Sequence, residues 1–249
     1  MKRARTIKRL RWPWQALFGL CCILPPRIAA DAPQPTPFSS LAPGSTIAGW
    51  QKLKPAPGAT DTRYVLVEDG GRVVVRADAE AAMSGLLFEF GGVPARPGIL
   101  RWRWKVEAPL SAADLATRSG DDYVARVYVL FDYPRARLPM ATRARLRLLE
   151  LLHGQRLPTA ALNYVWDNRH PVGTLRANAY TERVRMIVVE SGAGRAGRWV
   201  DEARDLRADF RQAFGEEAPS VIGIAIATDT DNTGETARAW FGDLRLDVD

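Results

Sequence analysis

A short acidic loop near the C-terminal end of the chain has residue types that could bind a cation. Residues 228–234 place Asp229, Asp231 and Thr233 at alternate positions before a glycine, as in the first half of an EF-hand loop. The twelfth position of that loop holds a bidentate glutamate, but here it is Trp240, so an EF-hand is excluded. Three interpretations remain open: an Asx-rich turn that caps backbone amides, a polar ligand site, or a calcium site.

A second acidic pair precedes a long predicted strand. Asp121 and Asp122 stand immediately before the strand, and Arg126 lies within it. Because strand side chains alternate between faces, Asp122 and Arg126 are expected on the same side, about 7 Å apart. A carboxylate and a guanidinium at this spacing can hold a polar ligand together. They can equally form an internal ion pair, since a buried arginine needs a partner.

Trp166 is the aromatic residue with the best prospect of an exposed face. It ends a predicted strand beside the polar residues 167–171, and a Trp ring can stack on a sugar ring. Trp102 and Trp104 instead alternate with basic residues, which predicts that both face the core. The predicted ligand-binding residues are Asp121, Asp122, Arg126, Trp166, Asp229, Asp231 and Asn232.

The sequence contains few of the groups that catalysis usually needs. His153 and His170 are the only histidines, and nucleophile, P-loop, zinc and dinucleotide motifs are absent, so no cofactor is predicted. The favoured function is therefore non-catalytic binding of a glycan or another polyol. Paired carboxylates can hydrolyse glycosides, so a carboxylate-dependent enzyme acting on envelope polysaccharide is the alternative.

The N-terminal residues predict export. Residues 1–30 combine a basic start, a short apolar stretch and small residues at the end, which is typical of a secretory signal peptide. They contain seven of the 35 Lys and Arg residues and no Asp or Glu, so the remaining chain carries 28 basic and 28 acidic residues. This balance argues against nucleic acid as a partner. A periplasmic or secreted location is predicted, with a Pro-rich linker over 31–44 and a single domain over 45–249.

Most of that domain is predicted to form strands. Runs of alternating or β-branched residues end at Gly-rich turns, and 64–68 with 72–76 form a predicted hairpin. Two helices are predicted, over Thr142–Leu152 and Asp205–Phe214, the second ended by Gly215. Many short strands with two helical inserts predict an all-β fold, a β-sandwich of jelly-roll type.

The segment Arg135–Arg156 is strongly basic, with six arginines and one glutamate. A basic helix that carries leucines can lie on an anionic membrane surface, which would make the protein a structural envelope component that docks a membrane or a partner. The same pattern also fits a helix that packs by its leucines and exposes a solvated basic face.

Five spaced sequence blocks resemble the bacterial domain of unknown function 3047 family. The blocks are Trp102-Arg-Trp104, Gly120–Phe131, Asn163–Trp166, Val188–Ser191 and Thr228–Gly234. The resemblance extends over roughly residues 48–247. It implies a secreted or periplasmic protein and brings no established activity with it.

Overall fold

The computed structural model describes residues 33–54, 58–144, 147 and 159–248. The bounds of the strands in these ranges are β1 Gln51–Leu53, β2 Arg63–Asp69, β3 Arg72–Glu80, β4 Met83–Glu89, β5 Ile99–Val106, β6 Tyr123–Phe131, β7 Ala160–Asp167, β8 Leu175–Asn178, β9 Thr181–Ser191, β10 Val200–Asp205, β11 Val221–Asp229, β12 Thr236–Phe241 and β13 Arg245–Asp247. Helix α1 comprises Leu206–Phe214, and residues 140–144 are also helical.

The strands form two sheets that pack face to face, so the predicted β-sandwich is confirmed. One sheet has seven strands in the order β1-β4-β11-β6-β7-β9-β8. The other has six, because β13 also pairs with β5 beside the path β10-β5-β12-β3-β2. All pairs are antiparallel except β7 with β9. The long apolar strand β6 lies in the middle of its sheet, where both of its faces are covered.

The core lies between the two sheets and is rich in aromatic rings. Trp102 and Trp104 on β5 are buried, as predicted, and their rings meet edge to face at 5.6 Å. Trp102 also packs against Tyr164 of β7 at 5.2 Å. Since each buried aromatic side chain contributes about 1.5–3 kcal/mol by burial, these rings stabilise the contact between the sheets.

Helix α1 closes one edge of the sandwich. The Asp205 carboxylate caps its N-terminus by accepting from the backbone N–H groups of Arg207 and Ala208, at 2.9 and 3.2 Å. Gly215 ends the helix with φ +73°, a left-handed conformation that favours glycine. Phe210 packs against Phe131 of β6 at 4.8 Å. The predicted helix is therefore confirmed, with its first residue shifted to Leu206.

The first residues described are packed against the sandwich, so the prediction of an extended linker is wrong for residues 33–44. Phe38 is fully buried and stacks on Trp50 at 5.1 Å. The Gln34 side chain exchanges two hydrogen bonds with the backbone of Leu246, at 2.9 and 3.1 Å. The Phe38 ring and the Gln34 amide therefore hold this proline-rich segment against the sandwich.

Two predicted segments fall largely outside the described residues. The basic segment Arg135–Arg156 contains the predicted helix Thr142–Leu152. The structure does not describe residues 145, 146 and 148–158 of this region, nor the proposed signal peptide over 1–30. In the part of the chain that the structure describes, no helix has the length and apolarity needed to cross a membrane.

Candidate functional site

Most of the predicted site residues meet at one end of the seven-stranded sheet. Asp229 ends β11, and its Cα pairs in register with that of Tyr123, the first residue of β6. The loop before β6, which carries Asp121 and Asp122, therefore lies beside the loop after β11, which carries Asp231. The structure brings six of the seven predicted residues together here.

At the base of this cluster Arg126 and Asp229 form a buried ion pair. Nε of Arg126 donates to Oδ1 of Asp229 at 2.7 Å, and Nη2 donates to the second carboxylate oxygen and to the Asp121 carbonyl. Nη1 donates to the Tyr128 hydroxyl at 2.8 Å, and the guanidinium lies 4.3 Å from the centre of the Tyr123 ring. Every nitrogen of the arginine thus has an acceptor within the protein.

Burial and charge oppose each other in this pair. Burial raises the pKa of Asp229, and the charge of the nearby Asp122 carboxylate acts in the same direction. The Arg126 guanidinium opposes both and lowers that pKa. Burial lowers the pKa of Arg126, but the Asp229 carboxylate more than offsets this and raises that pKa well above its usual value. The two-point geometry favours the charged pair, so this part of the cluster is an internal ion pair.

Asp122 holds the loop that follows β11. Its side chain is fully buried. Oδ1 accepts from the backbone N–H and the side-chain amide of Asn232, at 3.3 and 3.0 Å. Oδ2 accepts from the backbone N–H and the hydroxyl of Thr233, at 2.6 and 2.7 Å. The carboxylate therefore acts as an anchor for residues 232 and 233.

Three carboxylates lie close enough together to suggest a cation site. Ligand atoms of Asp122, Asp229 and Asp231 all lie within 4.8 Å of one another. However, both Asp122 oxygens already accept two donors each, and both Asp229 oxygens accept from Arg126. A calcium ion would have to displace these donors, so the residues present do not fit one. Of the three interpretations of the loop, the Asx-rich turn fits its hydrogen bonds best.

Above this base lies a polar surface, called the rim below, which consists of Arg118, Tyr180, Asp231 and Asn232. Asp231 is exposed and Asn232 is half-buried, and burial together with the Asp122 charge raises the pKa of Asp231. Tyr180, between β8 and β9, is 46% exposed. Its hydroxyl lies 3.0 Å from Oδ1 of Asn232 and 3.1 Å from the carbonyl oxygen of Arg118. The aromatic ring is thus held beside the Asn232 amide and the Arg118 guanidinium, and Asn232 in turn adjoins the Asp231 carboxylate.

Trp166 does not belong to this rim, and the prediction of an exposed stacking face is wrong. The residue is 1% exposed and packs against Trp104 at 5.9 Å, while its indole N–H donates to the Gly192 carbonyl at 3.0 Å. The preceding residue, Val165, pairs with Arg126 on the outer face of the sheet. Side chains alternate along a strand, so Trp166 points between the sheets.

Two members of the rim and one support beneath it are not among the residues predicted from the sequence. Tyr180 is distant in sequence from both acidic loops, whereas Arg118 lies only three residues before Asp121. Nδ2 of Asn178 donates to Oδ2 of Asp121 at 2.8 Å. None of the three belongs to a recognisable motif: Arg118 begins a short 3-10 helix, Asn178 ends β8, and Tyr180 lies in the turn between β8 and β9. Only the folded arrangement of β8 and β9 beside β7 brings Asn178 and Tyr180 to this end of the sheet.

One further carboxyl group has an unusual environment. Glu202 on β10 is half-buried, and its Oε1 has no hydrogen-bond partner among the described residues. Burial, followed by the charge of Glu190, raises the pKa of Glu202 to about 7. This group lies on the six-stranded sheet and takes no part in the acidic cluster.

The chain belongs to a family described as "Protein of unknown function (DUF3047)", whose model matches residues 48–245. No curated protein matches the sequence.

Several solved structures have weak similarity to the chain. One is a mutant of the family 29 carbohydrate-binding module CBM29-2 complexed with mannohexaose, with 11% identity, 86% of this chain and 91% of that chain covered, and a TM-score of 0.37. Cellulose induced protein, Cip1, has 12% identity and a TM-score of 0.37, with 81% of this chain and 92% of that chain covered. A β-1,2-glucanase from Parabacteroides distasonis has 11% identity and a TM-score of 0.34, with 79% of this chain and 22% of that chain covered. The two sheets described above, rather than these similarities, define the fold.

Proposed function

We propose that this chain is an exported, non-catalytic protein that binds a glycan or another polyol at the rim of the acidic cluster. One observation carries the proposal: the exposed Tyr180 ring is held by its hydroxyl, whose single proton is donated to Oδ1 of Asn232 or to the backbone carbonyl of Arg118. A sugar offers a weakly apolar ring face and many hydroxyl groups. An aromatic face with a few oriented polar groups is the matching surface.

Each polar group at the rim has a definite role in this proposal. The Asp231 carboxylate accepts hydrogen bonds from sugar hydroxyls, the Arg118 guanidinium donates them, and Asn232 positions Tyr180. The Arg118 guanidinium already lies 5.3 Å from the Tyr180 ring centre, so ring and cation form a single surface. Asp231 forms no ion pair among the described residues, and it is therefore free to accept from a ligand.

The buried residues act as a rigid base in this proposal and do not touch the ligand. Asp122 fixes Asn232 and Thr233, while Arg126 joins Asp229 to the loop at Asp121. A rim held in its bound conformation before the ligand arrives loses little conformational entropy on binding. Thus the predicted residues Asp121, Asp122, Arg126 and Asp229 would support binding indirectly.

Export is part of the proposal and rests on the N-terminal sequence. Residues 1–30 have the basic, apolar and small-residue order of a signal peptide. Mass spectrometry of the protein from its native envelope is expected to find a chain that begins near Asp31. An intact Met1 on the mature protein would contradict export by cleavage.

The binding test uses a glycan array followed by calorimetry on the glycans that bind. Tyr180→Ala is expected to weaken binding at least about tenfold, or about 1.4 kcal/mol, whereas Tyr180→Phe keeps the ring and loses less. Met140→Ala is the control, since Met140 is 78% exposed and lies outside the rim. Equal affinities for wild type and Tyr180→Ala, or no bound glycan at all, would overturn the proposal. Turnover of a bound glycan would favour the enzyme alternative.

A further inference from the structure

A gap in the six-stranded sheet creates a cavity, whereas the acidic cluster lies on the seven-stranded sheet. Strand β12 ends at Phe241, whose partners are Val75 of β3 and Trp104 of β5. The chain rejoins β5 only at Arg245, which pairs with Arg101. Residues 242–244 therefore leave the sheet, and the start of β3 lacks a partner on that side. The resulting cavity has a volume of about 360 Å³.

Charged residues of both signs line this cavity. Its guanidinium groups come from Arg72, Arg101, Arg103 and Arg245, and its acidic residues are Asp201, Glu202 and Asp243. Both Asp243 oxygens already accept from Ser39, at 2.9 and 2.6 Å. The elevated pKa of Glu202 also reduces its negative charge at neutral pH. Arg101 and Arg245 already pair with Asp247, at 3.0 and 2.8 Å, so Arg72 and Arg103 are the basic residues left to meet a ligand.

Two of these arginines have unused hydrogen-bonding capacity. Arg72 forms no ion pair among the described residues. Arg103 has only a long contact of 3.9 Å to Asp201, whose side chain is 84% exposed. Nε of Arg103 is buried and has no hydrogen-bond partner in the described part of the chain. A buried donor without a partner is unfavourable, so an anionic acceptor that reaches it would be bound favourably.

Arg103 is also held in place before any ligand binds. Its side chain crosses Gly242 so closely that a Cβ at residue 242 would lie 2.4 Å from Cγ of Arg103. The guanidinium lies 4.5 Å from the centre of the Trp199 ring. Trp199 is fixed in turn by a 2.9 Å hydrogen bond from its indole N–H to Asp69. The guanidinium of Arg103 is therefore held in a fixed orientation, and its paired N–H donors match the oxygens of a carboxylate or a phosphate.

From these observations we infer that the cavity binds an anionic sugar, a monosaccharide unit that carries a carboxylate or a phosphate. The arginines would hold the anionic group. The volume exceeds that of a single oxyanion and leaves room for a sugar ring, and the half-buried Trp199 packs against the guanidinium of Arg103. This second site lies on the other sheet from Tyr180 and does not depend on the rim site.

The test is calorimetry on the full-length protein with glucuronate, glucose 6-phosphate, glucose and inorganic phosphate. We expect at least one anionic sugar to bind, with an affinity that falls as salt rises, while glucose binds at least about tenfold more weakly. The tighter of glucuronate and glucose 6-phosphate identifies the anionic group. Equal affinity for glucose, or equal affinity for inorganic phosphate and glucose 6-phosphate, would overturn the inference. Absence of binding by both anionic sugars would also overturn it.

Variants assign the binding to the cavity. Arg103→Met keeps the side-chain stem over Gly242 and removes the donors, so it should weaken binding at least about tenfold. Gly242→Ala should weaken binding by displacing Arg103, with melting temperature measured to confirm folding. Arg238→Met is the matched control, an arginine on β12 outside the cavity. Tyr180→Ala should leave this binding unchanged. Full binding by Arg103→Met would place the ligand elsewhere and overturn the inference.

Discussion

Arg126 and Asp229 face each other across the neighbouring strands β6 and β11, and each side chain is only 3% exposed. The pair joins the middle of the seven-stranded sheet to the loop before β6, because Arg126 also donates to the Asp121 carbonyl. An ion pair this deep in the protein serves primarily to hold two loops together. Removing one partner would leave the other charge buried without compensation.

The first prediction concerns the stability of this pair. Arg126→Ala and Asp229→Ala are each expected to lower the free energy of unfolding by about 3–5 kcal/mol, measured by urea denaturation. The double variant Arg126→Met with Asp229→Leu should lose less than Asp229→Ala alone, because no charge remains buried. Arg238→Ala removes an arginine that is 42% exposed in its pair with Asp78 and should cost less than about 1 kcal/mol. An equally small loss for Arg126→Ala would contradict the argument.

The sequence predicted the sheet architecture because strand patterns are local. Alternation along residues 100–106 correctly placed Trp102 and Trp104 in the core. The burial cost of Arg126 correctly indicated that it needs a partner. The choice between ligand and ion pair needed the register of β6 against β11, which sets Asp229 opposite the start of β6.

Trp166 and Tyr180 show why the exposed part of the site was harder to predict. All eight residues of β7 are buried, so its pattern does not tell which face looks between the sheets, and Trp166 was assigned to the surface. Tyr180 reaches the rim only because β9 packs parallel to β7 with β8 at the edge. Such a non-local arrangement leaves no periodic signal in the sequence.

The second prediction concerns Asp122 and calcium. Asp122→Asn places an NH₂ group against a donor of Asn232 or Thr233, so the free energy of unfolding is expected to fall by about 1–3 kcal/mol. Because donors already occupy the Asp122 oxygens, excess calcium should not raise the melting temperature of the wild type by mass action. A rise of several degrees that a chelator reverses and that Asp229→Ala with Asp231→Ala abolishes would contradict this prediction.

The third prediction concerns the pH dependence of Glu202. Burial raises the pKa of this group from 4.5 in the unfolded chain to about 7 in the folded protein. Below about pH 4.5 Glu202 is protonated in both the folded and the unfolded protein, and burying its neutral form costs little stability. Between pH 4.5 and 7 the unfolded chain ionises first, so unfolding releases a proton and stability falls as pH rises.

Glu202→Gln should remove this dependence, because the amide keeps the shape of the side chain and does not ionise. Melting temperatures measured from pH 4.5 to 8 are expected to be similar for variant and wild type at the acidic end. The variant should become progressively more stable than the wild type toward pH 8. Asp201→Asn, at the neighbouring residue with a side chain that is 84% exposed, is the control and should show no such divergence. A constant offset between Glu202→Gln and wild type at every pH would show that packing, rather than ionisation, distinguishes them.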